Sequence, residues 1–295
     1  MVSTRFIVLV MSCVGFIVPG WFVFGTEAVD LTVSHHARSI QPGEVVVIEV
    51  RSANEPVSIY AVAFGRGVRF YWSEMDETWR GLIGIDLETA PGKYQVEIRA
   101  TIDNGEIIQE VYTLQVEKKD FPTRHLKVNP NFVNPPEEVI ERITREAKTI
   151  ADIFAKSSHV RHWSGEFRAP VPGNSTSGFG RRSVYNGEPR SPHSGTDFRA
   201  GSGTSVKAPN IARVVLTGEL YFSGNVVILD HGWGLYSYFA HLSSIDVIEG
   251  EMVATGQVVG KVGATGRVTG PHLHWTARLN GARVDPISLM TLLEN

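Results

Sequence analysis

Four histidines and an aspartate carry the most chemistry in this chain of 295 residues. His193 and Asp197 stand four apart in His193-Ser194-Gly195-Thr196-Asp197; His272 and His274 flank Leu273; His241 lies between the two clusters. Neutral imidazole and carboxylate are acceptable ligands for zinc, and a catalytic zinc site uses three protein ligands and leaves a fourth position open. Five such groups exceed a three-ligand set by two. The surplus imidazoles would then be free for proton transfer, which suits an unperturbed pKa of about 6.5.

Spacing says how these side chains can meet. Residues i and i+2 of a strand share a face, so His272 and His274 point into one groove and Leu273 into a core. Pro271 can open such a strand but cannot sit in its middle. Pro192 and Gly195 argue against a helix around His193, so the segment reads as a turn running into a strand, with Gly195 bending the backbone so that His193 and Asp197 converge. His241 closes the run Leu235 to Ala240, whose aromatics fall on both faces. Alone it would read as a buried core histidine; beside a complete ligand set it joins the site. His231, at a turn, reads as structural. His159, His162 and the neighbours His35 and His36 read as surface residues.

The rest of the chain must position these groups. Its 42% hydrophobic and 20% charged content is ordinary for a globular protein. A formal charge of -3 gives no basic footprint for nucleic acid. Residues 1–28 have the order of an export signal: Arg5, an apolar run from Phe6 to Phe24 broken at Pro19-Gly20, then small residues. The alternative is an uncleaved membrane anchor. Cys13 is the one cysteine and lies in this segment, so the exported chain would have only nitrogen and oxygen ligands.

Residues 29–119 read as an all-β domain of immunoglobulin-like type. Short β-branched and aromatic runs (Val45–Val50, Ser58–Phe64, Val68–Trp72, Lys93–Ala100, Ile107–Val116) alternate with turns such as Gln41-Pro42-Gly43 and Asp103-Asn104-Gly105. Residues 120–164 read as a connector, extended at first and then helical over about 135–156. Asn134 is the expected N-cap and Pro135 the first helical residue. Val139, Ile143, Ala147, Ile150 and Phe154 recur at helical spacing and give a face to pack on a neighbouring domain. Residues 165–295 read as a compact antiparallel β-barrel-like or folded-sheet domain. Its strand candidates run from Val206 to Leu279.

Phe179-Gly180-Arg181-Arg182, His193-x-x-x-Asp197, Tyr238-Phe239-Ala240-His241-Leu242 and Gly270-Pro271-His272-Leu273-His274, in this order, resemble the LytM/lysostaphin-type zinc metallopeptidases, peptidase family M23. The resemblance covers roughly residues 165–290. It implies one zinc ion held by His193, Asp197 and His274, with His241 and His272 as catalytic histidines outside the ligand set. It also implies an exported endopeptidase, periplasmic or extracellular, that cuts the peptide cross-links of peptidoglycan. Arg181, Arg182 and Tyr185 precede the first ligand and are candidates for the groove wall. A self-inhibitory contact between the N-terminal region and the groove is a further expectation. The competing functions are a non-catalytic regulator of LytM type, which the presence of all five residues opposes, and a cell-wall-binding protein working through its β-domain.

Overall fold

The computed structural model describes residues 31–52, 56–127 and 135–292. Residues 1–28, expected to be an export signal, and Asn134, the expected N-cap, lie outside the described residues.

The N-terminal unit has seven antiparallel strands: β1 (Leu31–His36), β2 (Val45–Ser52), β3 (Pro56–Ala63), β4 (Arg66–Ser73), β5 (Thr78–Gly84), β6 (Gly92–Ile102) and β7 (Ile107–Val116). They lie in the order β1-β2-β5-β4-β3-β6-β7. Strand β4 turns the corner, pairing with β3 through Arg66–Arg69 and with β5 through Phe70–Ser73. Two layers result, β1-β2-β5-β4 and β3-β6-β7, which is the ABED/CFG order of an immunoglobulin constant-type sandwich. Alternation fills the space between them: Val96, Ile98 and Ala100 of β6 face Val46, Ile48 and Val50 of β2. Strand β2 is buried on both faces from Val45 to Ile48 because its outer face is covered too.

The connector forms β8 (Thr123–Leu126) and the helix α1 (Glu137–Phe154). The helix starts later than its sequence suggests. Pro136, at φ -55 and ψ 148, is the N-cap, and Pro135 lies outside the helix. A residue that precedes proline is pushed out of the α region, so Pro135 before Pro136 cannot open the helix. Ile153 and Phe154 pack on the C-terminal sheet, while Ala147 stays exposed. Glu146 accepts a bond from Tyr221 N at 2.9 Å, and Lys156 O accepts one from Tyr236 Oη at 2.9 Å.

The C-terminal unit contains β9 (Ser175–Ser177), β10 (Arg182–Tyr185), β11 (Glu188–Arg190), β12 (Thr196–Phe198), β13 (Ser205–Lys207), β14 (Ala212–Leu220), β15 (Gly224–Gly232), β16 (Leu235–Ile245), β17 (Met252–Val253), β18 (Val258–Val262), β19 (Leu273–Leu279), β20 (Ala282–Val284) and the short helix α2 (Pro286–Leu292). Ten of the strands make one antiparallel sheet with the path β17-β14-β15-β16-β19-β12-β9, and β16 also pairs with β18. This folds the sheet back on itself around Phe198, Phe239, Leu273 and Trp275. Strands β10 and β11 form a hairpin over Asn186-Gly187, both at positive φ, and β8 of the connector joins it in parallel. The fold is all-β apart from the connector helix and α2.

The two units share a core. Val45, Val47 and Leu82 pack with Trp163, Phe167, Leu235, Leu279, Val284 and Leu289. A Cβ on Gly84 would lie 3.0 Å from Ala282 Cβ, so the sheets meet at backbone range. Around this apolar patch, Arg283 binds Asp86 at 2.6 Å, and Arg38 bridges buried Glu44 at 2.8 Å to Asp285 at 2.7 Å. Arg161 stacks on Tyr71 of β4 at 4.0 Å from the ring centroid and on Trp163 at 4.9 Å.

Candidate active site

Strand β19 carries the centre of the site. Its pleat sends Leu273 and Trp275 fully into the core and His274 and Thr276 to the opposite face. Antiparallel pairing places Asp197 of β12 directly opposite His274, a register that brings Cβ atoms within about 5.5 Å. His193 precedes β12 and is held by backbone bonds to the preceding chain, Gly180 N to His193 O at 2.7 Å and His193 N to Arg181 O at 3.0 Å.

Gly195 is needed here, for a reason other than the one its sequence suggests. Its φ is not in the left-handed region. A Cβ would instead meet Trp275 O at 2.6 Å, Thr276 Oγ1 at 2.7 Å and His274 Cε1 at 2.8 Å. The chain passes so close over β19 that only glycine fits, and this approach brings His193 to His274.

Three ligand-type atoms converge. His193 Nε2 is 3.1 Å from His274 Nδ1, His274 Nδ1 is 2.9 Å from Asp197 Oδ1, and His193 Nε2 is 3.2 Å from Asp197 Oδ1. Around zinc, with bonds of about 2.0–2.1 Å, tetrahedral ligand atoms sit about 3.3 Å apart. The triangle therefore fits one face of a zinc tetrahedron with little adjustment. Outer contacts suit the same use. His193 Nδ1 faces Gly178 O at 3.3 Å, and His274 Nε2 faces Thr276 Oγ1 at 2.9 Å. Each would take the proton on that nitrogen and leave the other nitrogen's lone pair toward the metal.

His241 and His272 are tied through Nδ1, as His193 is and His274 is not. His241 Nδ1 donates to Thr265 O at 3.0 Å, and His272 Nδ1 donates to Gly270 O at 2.9 Å. Both Nε2 atoms are thereby left as acceptors. The rings are 5.0 Å apart, and His272 Nε2 lies 3.8 Å from Asp197 Oδ1. His241 reaches this place through backbone strain. Its φ is +64, and β16 changes partner register on either side of it. A non-glycine residue held in the left-handed region carries a conformational cost that the surrounding structure must sustain.

Electrostatics separate the groups. Burial opposes ionisation of Asp197, but hydrogen bonds and charge from His193 and His274 outweigh it and hold its carboxyl well below the usual carboxylate range. Burial pushes His241 down to about 4, against the opposing bond to Thr265 O, and the neighbouring histidines push the same way. Burial also lowers His274, against the raising effect of Asp197.

The five residues line a groove of about 720 Å³. Arg181 and Tyr185 line it as well, whereas Arg182 does not. The connector contributes Arg124, Ile150 and Phe154 to its wall. Residues beyond the five also shape the site. Thr276 and Arg278 follow His274 at i+2 and i+4 on the same strand face, so alternation alone could have found them. Arg267 comes from the loop between β18 and β19, which has no such periodicity. His231 is fully buried between Ile211 O and Ser237 Oγ, both at 2.9 Å, away from the groove.

Comparison with known proteins matches residues 191–286 to the model of peptidase family M23. A DD-carboxypeptidase/endopeptidase from Neisseria meningitidis serogroup B is 43% identical over 97 residues, 33% of this chain and 22% of the relative. A peptidoglycan DD-endopeptidase from Vibrio cholerae is 43% identical over 94 residues, 32% of this chain and 22% of the relative. The chain thus matches about a fifth of the length of these curated relatives. One solved structure is similar over nearly everything: a Pseudomonas aeruginosa protein assigned to peptidase M23, 34% identical, covering 86% of this chain and 96% of that chain at a TM-score of 0.68. With likeness of that extent to a solved relative, and the family's own pattern on the residues that build the groove, the chain belongs to peptidase family M23.

Proposed function

We propose that the protein is an exported zinc endopeptidase that hydrolyses peptide cross-links of bacterial peptidoglycan. The observation that carries this reading is the convergence of His193 Nε2, Asp197 Oδ1 and His274 Nδ1 within 3.2 Å of one another, faced by two imidazoles whose Nδ1 atoms are tied to carbonyls. His193, Asp197 and His274 would hold the metal. Zinc in such a site supplies Lewis acidity, which polarises a carbonyl and makes water acidic near neutral pH. The chain's own residues do the rest. The Nε2 of His272 or His241 accepts the proton of the attacking water, and the pair then returns a proton to the leaving amine and donates to the oxyanion. Positive φ at His241 and the Gly270 carbonyl fix these two rings before substrate arrives.

The substrate class follows from the relatives, whose names specify peptidoglycan DD-endopeptidase activity. The N-terminal sandwich and connector are docked without filling the groove, which supports access in this arrangement. The composition of residues 1–28 supports export. Two measurements test the reading together: zinc content per chain, and release of peptides from purified sacculi with and without chelator. Near one zinc per chain and chelator-sensitive release are expected. Sacculus binding with no cleavage by zinc-loaded protein would instead favour the regulator or wall-binding reading.

A further inference from the structure

The turn between β1 and β2 reaches out of the sandwich. Gln41-Pro42-Gly43 and its flanking residues Arg38 and Glu44 cross the interface to the C-terminal unit. They meet it at the segments that hold His193 and Asp197.

The first route ends at Asp197. Strand β12 alternates, so Asp197 faces the groove while Thr196 turns to the back and is buried. There Thr196 Oγ1 donates to Asp285 Oδ1 at 3.1 Å. The N–H of Asp285 donates to Gly43 O at 2.7 Å. The other carboxylate oxygen, Oδ2, accepts from Arg38 Nη2 at 2.7 Å. Arg38 is itself fixed, because Nε and Nη2 fork onto the two oxygens of Glu44 at 3.0 and 2.8 Å. Lys119 binds the same carboxylate at 2.7 Å. Burial opposes ionisation of Glu44, but the bonds from Arg38 and Lys119 outweigh it and hold its carboxyl below the usual range. A buried polar network with its members satisfied is rigid and specifies one arrangement.

The second route ends at His193. Gly180 N donates to His193 O at 2.7 Å. The ring of the adjacent Phe179 lies against Gly43, where an added Cβ would be 2.3 Å from Phe179 Cε1. Phe121, two residues past Lys119, also packs on Phe179, with ring centroids 6.4 Å apart. Tyr71, elsewhere in the same interface, meets Arg161 and Trp163 instead.

We infer that the N-terminal sandwich is a working part of the metal centre, with Arg38 as a positioning residue that holds β12, and so Asp197, through Asp285 and Thr196. The inference rests on the ligand assignment made above and extends it into the second unit of the chain. The contact of Gly43 with Phe179 supports the His193 segment from the same turn. On this account the sandwich contributes to metal affinity without contributing a ligand.

A double-mutant cycle measures such coupling directly. Zinc affinity of the full chain is measured by chelator competition for the parent, Arg38→Met, Thr196→Val and the double variant, at a temperature where melting curves show each to be folded. Arg38→Lys, which keeps the charge but not the fork, replaces Arg38→Met in the cycle if that variant does not fold. Arg38→Met should weaken zinc binding by about threefold to thirtyfold. In the Thr196→Val background the same change should cost less than about twofold, because the link to β12 is already cut. Tyr71→Leu should lower the melting temperature by loosening the same interface, yet leave zinc affinity within about twofold. Cobalt(II) in place of zinc gives a second readout. Its visible bands follow ligand geometry, so they should move in Arg38→Met and stay in place in Tyr71→Leu. Unchanged zinc affinity and cobalt bands in Arg38→Met, an undiminished Arg38 effect in the Thr196→Val background, or an equal loss in Tyr71→Leu overturns the inference and leaves the ligand set standing. A parent chain that binds no zinc overturns the ligand assignment, and the inference with it.

Discussion

Thr276→Val tests the metal centre through a residue that touches no metal. Thr276 Oγ1 is 2.9 Å from His274 Nε2, and the residue is 3% exposed. When His274 uses the Nδ1 lone pair for the metal, Nε2–H donates to this hydroxyl. The bond fixes the tautomer and the ring orientation together. Valine keeps the branched shape and removes the acceptor, leaving a buried N–H without a partner. Loss of a contact of this kind lowers metal affinity by about tenfold to a hundredfold, or about 1.4–2.7 kcal/mol. The assay is competition for zinc against a chromophoric chelator at fixed pH, with melting of the metal-free protein as a control. Zinc should dissociate more readily from the variant, while the metal-free melting temperature moves less than the zinc-loaded one. Zinc affinity within about twofold of the parent, set against the effect expected of an outer contact, would refute the tautomer argument. It would also shift attention to the other ring nitrogen as the ligand.

Three further outcomes are expected. His272→Ala and His241→Ala should each lower kcat by about 10²- to 10⁴-fold with zinc content unchanged; loss of zinc from either would show that a ligand had been taken for a base. Gly180→Ala should destabilise the protein by about 1–3 kcal/mol, read as a lower melting temperature, because Gly180 has φ +79 and an added Cβ would lie 2.1 Å from Phe121. For Asp86→Asn the effect should depend on pH. Burial opposes ionisation of Asp86, but bonds from Arg283 and from two backbone N–H groups hold it down at about 2 against an ordinary 3.8. A depressed carboxyl stabilises the fold fully above its unfolded pKa and loses that contribution as pH falls through its folded one. Parent and variant should thus differ by about 1 kcal/mol near neutrality, after discount for solvent screening, and converge between pH 3.8 and about 2. A difference that grew on acidification would reverse the sign of the argument.

Much of the architecture was legible because it rests on local rules. Period-two patterning marked β6 and β7, and the alternation of His272, Leu273 and His274 assigned groove and core faces. What escaped was set by distant partners. Thr123–Leu126 is a short exposed segment that becomes β8 only by pairing with Arg182–Tyr185. Thr78–Gly84 has glycines at both Gly81 and Gly84, and becomes β5 because Val68 of β4 and Ala282 of β20 fill the space a side chain would need. The hairpin at Asn186-Gly187 is different: its turn was readable as a type I′ signal, and the flanking polar residues hid it.

The sequence by itself determined which groups could act. It placed three imidazoles and a carboxylate in two short motifs with a fourth imidazole, His241, between them, and with no cysteine beyond Cys13 to compete for a metal. Only the tertiary structure decided how they divide. The register of β12 on β19 sets Asp197 against His274, close passage of Gly195 brings in His193, and the carbonyls of Thr265 and Gly270 hold His241 and His272 through Nδ1 beside that triangle. Hydrogen-bond direction and charge proximity act over a few ångströms, and residues dozens of positions apart reach that range only when the sheet closes.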